Sequence, residues 1–325
     1  MKAVRVLGYG GPEVLQVMEV PEPAAGPLEV LVRVEAAGVN PVDTYIRAGN
    51  YGNRAVPPYT PGFDAAGVVE QVGAEVAAKY PQLAHLKCGA RVYCYGAATG
   101  AYAQKLVAKP EQVWPLAEAL SFEQGACLGV VYLTAYQALF QKAGLRTGER
   151  VLIHGGSGGV GLAAIQFAAA AGCQVVTTAS TDAGRKLCRD NGAGQVLNHA
   201  DGGYLDVLRA GQPFDVILEN LANVNLNQDL GLLAMRGRVV VVGNRGTVTI
   251  DPRLTMGRDA TVTGMALFNA TTEELSKAHR AIGTGVDRGA LRPVVHKTYP
   301  LADAAKAHHD IINSPAAGKL ILVTK

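Results

Sequence analysis

The stretch Val151–Gly161 reads VLIHGGSGGVG, and few folds accommodate it. Val151-Leu152-Ile153-His154 is a short apolar run of the kind that forms a buried parallel strand. Glycines follow at once. Val160 to Ala168 then continues as a helix with small, apolar packing residues. Gly156, Gly158 and Gly161 fit the spacing GxGxxG. Such glycines serve a tight turn, close approach of a pyrophosphate to backbone N–H groups, and close contact between helix and sheet. The helix start offers unpaired donors and a positive dipole end to phosphates. A second strand, Gln174–Thr178, follows the helix and completes the context that this spacing requires.

At 325 residues the chain suits two domains. Hydrophobic residues make up 49% and charged residues 18%, so a sizeable core is available and disorder is not expected. A net charge of +3 permits an anionic cofactor without pointing to nucleic acid. The five cysteines, Cys88, Cys94, Cys127, Cys173 and Cys188, are odd in number and lack CxxC spacing. A disulfide framework or a cysteine zinc site is therefore not expected, and a reducing compartment is. The N-terminus lacks the apolar segment of a signal peptide, and no apolar run reaches membrane-spanning length. The expected address is the cytoplasm, with no membrane partner.

Residues 1 to about 120 alternate short strand candidates with Gly and Pro clusters, which suggests a small β-barrel. One short helix is expected over Asn40–Ala48, and a surface loop over Glu75–Cys88. From Ser121 the pattern changes. Ser121-Phe122-Glu123-Gln124 fits a helix N-cap, and a helix through Thr134–Phe140 leads to the strand at Val151. Strands and helices then alternate, which predicts a doubly wound parallel sheet of six strands. Lys319–Val323 is a strand with no place in that sheet, and it is expected to return to the N-terminal barrel. The reading is an α/β chain with a barrel domain over 1–122 and 266–325 and a nucleotide-binding domain over 123–265. His308-His309 has metal-like residues without a partner at ligand spacing and reads as helix surface.

The second strand decides the choice of dinucleotide. An acid at its end would bond the ribose 2′-OH of NAD. Here it ends Thr178-Ala179-Ser180-Thr181, and Arg185 and Lys186 follow. Lys186 can meet a 2′-phosphate as a point charge, so NADP(H) is expected. Asp182 is the residue that could reverse this choice.

A β-barrel half, a nucleotide-binding half and a return strand together resemble the medium-chain dehydrogenase/reductase superfamily. Its zinc alcohol dehydrogenases carry a Cys-His pair after the early Gly-Val turn and a Gly-His-Glu motif later. This chain has Gly38-Val39-Asn40-Pro41-Val42-Asp43 and Pro61-Gly62-Phe63-Asp64 at those places. Catalytic zinc takes three N, S or O ligands from the protein. Asn40 and Phe63 supply neither thiolate nor imidazole, so no metal is expected. Without a Lewis acid no alkoxide is stabilised. A hydride then suits an acceptor that spreads negative charge over itself, as quinones and α,β-unsaturated carbonyls do.

Further stretches are similar to the ζ-crystallin-like quinone oxidoreductases, the zinc-free branch of that superfamily. They include Tyr9–Leu15, Gly38–Arg47, Pro58–Gly62, His154–Ala164, Leu221–Leu226 (LANVNL) and Val241–Thr247. The resemblance implies a GroES-like barrel domain beside a Rossmann domain, NADPH-dependent reduction of quinones, and a homodimer or homotetramer formed through the sheet edge near Thr261–Phe268. It implies that Gly156, Ser157, Gly158, Gly159, Val160 and Gly161 hold the pyrophosphate. Ser180, Lys186 and His199 would surround the 2′-phosphate end. Asn225, Val242, Gly243, Asn244 and Arg245 would line the cofactor cleft, with Met265, Ala266 and Leu267. Lys319 would reach the adenine-ribose phosphate. On the catalytic side, Tyr45 and Asn40 would approach the nicotinamide, and Tyr51 and Tyr59 would stack on a flat quinone. Each has a plainer reading: Tyr45 as a core aromatic, Asn40 and Asn225 as turn residues, Tyr51 and Tyr59 as braces of a proline-rich loop. Two alternatives remain open, an enone or alkenal double-bond reductase, and an NADPH-binding protein with an AU-rich RNA-binding or structural role.

Overall fold

The computed structural model describes residues 1–51 and 55–324 and divides them into two compact units. One contains Met1–Val130, Pro293–Ser314 and the chain from Lys319. The other contains Val131–Arg292 and Pro315–Gly318.

The first unit is a GroES-like barrel. Its main sheet runs in the order Val295–Pro300, Lys319–Val323, Val30–Val39, Asp64–Val72, Arg91–Tyr95 and Val113–Pro115, and Lys105–Ala108 also pairs with Val30–Val39. The central strand Val30–Val39 is buried along most of its length on both faces, which is why it reads as near-continuous Val, Leu and Ala. Lys319–Val323 pairs antiparallel with it, Leu320 facing Val39 and Val323 facing Ala36. The expected return strand therefore completes the barrel. Val4, Val32, Val34, Val92, Tyr102, Leu106 and Leu322 form its core.

The second unit holds a six-stranded parallel sheet in the order Gln195–Leu197, Gln174–Thr178, Arg150–Ile153, Phe214–Glu219, Leu233–Val241, Thr261–Gly264. This is the 3-2-1-4-5-6 order of a Rossmann fold. Its topological switch point lies between Arg150–Ile153 and Phe214–Glu219. Their apolar centres, Val151–Ile153 and Val216–Leu218, are fully buried, as strands covered on both faces require.

The domain boundaries differ from the sequence expectation. The expected break at 265/266 falls instead after Arg292, and the earlier one lies at 130/131 rather than 122/123. Gln166 explains the later break: its amide accepts the Arg292 N–H at 2.9 Å and donates to the Arg292 carbonyl at 2.9 Å. The Thr272–Asp287 helix buries Ala278 and Ile282, and its Glu274 carbonyl accepts from Gln141. The segment expected as a loop at Glu75–Cys88 holds two helical turns, Val76–Lys79 and Pro81–Leu83, and buries Val76 and Leu86.

Candidate functional site

In the Rossmann unit, the glycine turn is built by steric necessity. A side chain at Gly156 would collide with Thr177, and one at Gly161 with the backbone of Gly155 and Gly156. Thr177 is held there by its hydroxyl, which donates to the Ile153 carbonyl at 2.6 Å. Gly155 has φ +67°, a conformation that glycine adopts without strain. Gly158 differs from the other two: a Cβ there would meet nothing closer than 3.5 Å. Its openness leaves room for a ligand above the start of the Gly159–Ala170 helix. Gly318 N–H donates to the Ser157 carbonyl at 2.8 Å and fixes the turn from the other side.

At the end of the second strand, Ser180 is exposed and its carbonyl accepts from Arg185 at 3.2 Å. Arg185 also pairs with Asp182. The Asp182 carboxylate is thus engaged by a cation beside the strand end. Lys186 is exposed and pairs instead with Asp190 at 2.6 Å, one helical turn on. The structure therefore brings Arg185 to Ser180 more directly than Lys186. Burial lowers the His199 imidazole, and the charge of His154 adds to that fall.

Asn225 donates to Glu219 Oε1 at 3.2 Å. The N–H groups of Val242 and Gly243 both donate to the Glu219 carbonyl, at 2.8 and 3.2 Å, and Arg245 N–H donates to Asn223 Oδ1 at 3.0 Å. Asn244 donates to the Gly246 carbonyl at 2.6 Å. Met265 N–H reaches the Val241 carbonyl at 3.0 Å, which sets Ala266 and the buried Leu267 after the sheet's last strand.

In the barrel unit, Asn40 precedes the Pro41–Arg47 helix and is 1% exposed. Its side chain belongs to a buried polar cluster. Asn40 Nδ2 donates to Asp64 Oδ2 at 3.0 Å, Lys319 Nζ donates to the same oxygen at 2.7 Å, and Lys319 also donates to Asn40 Oδ1. Asp64 Oδ1 accepts the Val130 N–H at 2.7 Å. The Lys319 ammonium is thus committed inside the barrel unit.

A second chain of contacts starts from Asp43. Its Oδ2 accepts from Asn40 N–H at 2.8 Å and from the Tyr102 hydroxyl at 3.0 Å. Tyr102 meets His308 at 3.2 Å, and His308 meets Arg47 at 3.2 Å. His308 is therefore buried, contrary to the expected helix surface, whereas His309 is exposed. Burial pushes the Asp43 carboxyl up to about 7 and the His308 imidazole down to about 3. A cavity of about 160 Å³ adjoins Asp43, lined also by Ile46, Tyr59, Thr60 and Phe63. Asp43 Oδ1 and the Tyr59 hydroxyl are buried without a hydrogen-bond partner among the described residues. Burial raises the Tyr59 hydroxyl to about 12. Tyr45 and Tyr51 are half-buried.

Sequence reasoning quoted Asp43 and Asp64 only as parts of motifs and did not assign them a role. Tyr102, Glu219 and Asp229 carried no local signal, because their partners lie far away in the chain.

The zinc-binding dehydrogenase family model matches residues 159–283, and the alcohol dehydrogenase GroES-like domain model matches residues 26–118. The quinone oxidoreductase of Rattus norvegicus is 45% identical over 99% of this chain and 98% of its own length. The chain belongs to the quinone oxidoreductase family. Among solved structures, Escherichia coli quinone oxidoreductase complexed with NADPH has a TM-score of 0.88 at 30% identity, covering all of both chains. A mycobacterial protein, also complexed with NADPH, has a TM-score of 0.90 at 31% identity over the same coverage.

The zinc named in one family description does not fit this member's residues. The carboxylate of Asp64 already holds a buried ammonium, Asn40 is an amide, and Phe63 has no ligand atom. A divalent ion there would face Lys319 at close range with too few anionic donors. The nucleotide, by contrast, fits: Gly158 is open, the N–H groups that follow it head a helix, and no carboxylate stands within the turn.

Proposed function

We propose that this NADPH-dependent quinone oxidoreductase assigns nucleotide binding to its Rossmann unit and acceptor binding to its barrel unit. The Gly156–Gly161 turn, with Ser157, Gly158, Gly159 and Val160, holds the pyrophosphate. Ser180, Arg185, Lys186 and His199 receive the 2′-phosphate end. Asn225, the Val242–Arg245 turn and Met265–Leu267 line the rest of the nucleotide site. Bound NADPH supplies a hydride, which with one proton converts a quinone to its hydroquinone and leaves NADP⁺.

On the barrel side, Tyr45 meets the acceptor, with Tyr51 and Tyr59 offering flat faces to its ring, while the buried Asn40 has its amide taken by Asp64 and Lys319. The observation that carries the metal-independent part is the Lys319 ammonium between Asp64 and Asn40. It neutralises the buried acid with a fixed cation and locks the Asn40 amide. The acceptor must then stabilise its own developing charge, which a quinone does through two conjugated oxygens. Copies pair through Thr261–Gly264, which ends the sheet and leaves Val262 exposed. No helix among the described residues is long and apolar enough to cross a membrane.

The test compares NADPH and NADH oxidation with 1,4-benzoquinone, 9,10-phenanthrenequinone and an enone, after dialysis against a chelator. Quinone reduction that prefers NADPH and survives chelation is expected. Activity that returns only with added zinc overturns the metal-independent mechanism. Turnover of the enone alone identifies a double-bond reductase. Tight NADPH binding without turnover, beside a salt-sensitive RNA mobility shift, supports the binding-protein reading.

A further inference from the structure

The Rossmann unit buries three ionisable side chains at its switch point. His154 follows the Arg150–Ile153 strand, Glu219 ends the Phe214–Glu219 strand, and Asp229 lies on the Ala222–Leu232 helix. All three are buried. His154 Nε2 lies 2.8 Å from Asp229 Oδ1 and 3.6 Å from Glu219 Oε2. Glu219 Oε1 accepts from Leu221 N–H and from Asn225 Nδ2. Two oxygens are left over, Glu219 Oε2 and Asp229 Oδ2. Both are buried and without a hydrogen-bond partner among the described residues.

One proton resolves both. A hydrogen on Glu219 Oε2 donated to Asp229 satisfies a buried donor and a buried acceptor, and removes the repulsion of two adjacent carboxylates. A metal ion fits less well, although the three side chains offer atoms within 4.8 Å of one another. At 2.8 Å from a carboxylate, Nε2 carries the hydrogen of that bond and has no lone pair to give.

We infer that Glu219 and Asp229 share one proton and, with His154, act as positioning residues for the cofactor. Glu219 fixes Asn225 by its side chain and the Val242–Gly243 turn by its carbonyl. Asp229 holds the same helix to His154. From that helix Ala222 N–H donates to the Gly243 carbonyl, and Asn223 receives the Arg245 N–H. The inference rests on the nucleotide site proposed above. Burial pushes the Glu219 carboxyl up, with His154 opposing and Asp229 adding to the rise. Burial alone would lower the His154 imidazole, but Asp229 and Glu219 hold it above its ordinary value. The other titratable groups facing the cluster are His199, beside His154, and Tyr204, beside both acids. Arg209 in turn acts on Tyr204.

The test is a cycle of isosteric variants read by the KM for NADPH, by kcat and by the urea midpoint. In Glu219→Gln the amide donates to Asp229. In Asp229→Asn the amide donates to Glu219 and still accepts from His154. Each single variant is expected to keep the KM within about twofold of wild type. The double variant sets two amide donors face to face, and its KM should rise about tenfold or more with a smaller change in kcat. The wild-type KM should also rise at alkaline pH as the shared proton is lost, and Glu219→Gln should abolish that rise. Single variants as damaging as the double one would overturn the shared proton. So would a stoichiometric divalent ion in the purified protein that Glu219→Gln loses. An unchanged KM in Asn225→Ala would overturn the nucleotide site and the positioning role with it. The urea midpoints of the cycle would still judge the shared proton.

Discussion

In the barrel unit Asp64 is answered by the ammonium of Lys319; in the Rossmann unit Glu219 and Asp229 are answered by His154 and, as inferred here, by a proton held between them. Both clusters are buried. The first cluster balances its acid with a side chain, the Lys319 ammonium 2.7 Å from Asp64 Oδ2. The second depends on a proton that solution can remove. The contrast teaches that one chain can neutralise buried acids in two ways, with a neighbouring side-chain cation or with a proton held between two acids.

The sharpest way to break the contrast is Lys319→Met. It strands the Asp64 carboxylate in the core and should cost about 3–5 kcal/mol in urea unfolding. Adding Asp64→Asn should recover much of that loss. If Lys319→Met were neutral, Asp64 would have to be protonated as well, and the two clusters would work alike.

Gly156→Val tests the nucleotide side alone. The new side chain meets Thr177, the turn has to shift, and NADPH affinity should fall at least about tenfold. Tight binding by this variant would detach the turn from the nucleotide.

Asp43 brings a titrating group into the barrel unit. Its folded value near 7 lies above that of an unfolded aspartate, 3.8. The stability it contributes is therefore complete below about pH 4 and lost as pH rises through 7. Asp43→Asn should flatten that decline and gain stability at pH 8, by up to a few kcal/mol. His308 runs the other way. Its folded value near 3 lies below the unfolded 6.5, so its contribution is lost as pH falls from about 6.5 toward 3. Urea midpoints measured from pH 4 to 8 separate the two.

Smaller effects sharpen the nucleotide assignment. Arg185→Ala should weaken NADPH several-fold more than NADH, and Lys186→Ala should do so less, because Lys186 already pairs with Asp190. Equal losses for both nucleotides would remove the 2′-phosphate role. Tyr45→Phe should alter kcat a few-fold at an unchanged KM for NADPH. A variant identical to wild type with every acceptor would leave Tyr45 a packing residue.

Much of the fold was legible in the sequence because it is written in local periodicity. The strand–glycine–helix run at 151–168, the alternation that follows and the orphan strand at 319–323 all show in consecutive residues. Asn40 and Phe63 were legible as residues that offer neither thiolate nor imidazole, but the ammonium that engages Asp64 was not. Nor were the polar clusters. Lys319 and Asp64 are 255 positions apart, and His154 and Asp229 are 75 apart; only tertiary packing makes them partners. The same cause moved the second boundary, because Gln166 ties down Arg292 from 126 positions away. Between Arg185 and Lys186 the sequence offered two neighbouring cations, and the choice depended on which way each side chain turned along the helix.

The pairing of Leu320–Val323 with Ala36–Val39 imposes an order on assembly. While the chain is being made, Asp64 exists for more than 250 residues of synthesis before its counter-ion emerges. The nascent barrel must stay open or keep that acid hydrated until Lys319 emerges, so a segment made long after Val30–Val39 is what closes the sheet around it. Losing Lys319–Val323 would then be felt at Val30–Val39, nearly three hundred positions earlier, as an unfinished barrel.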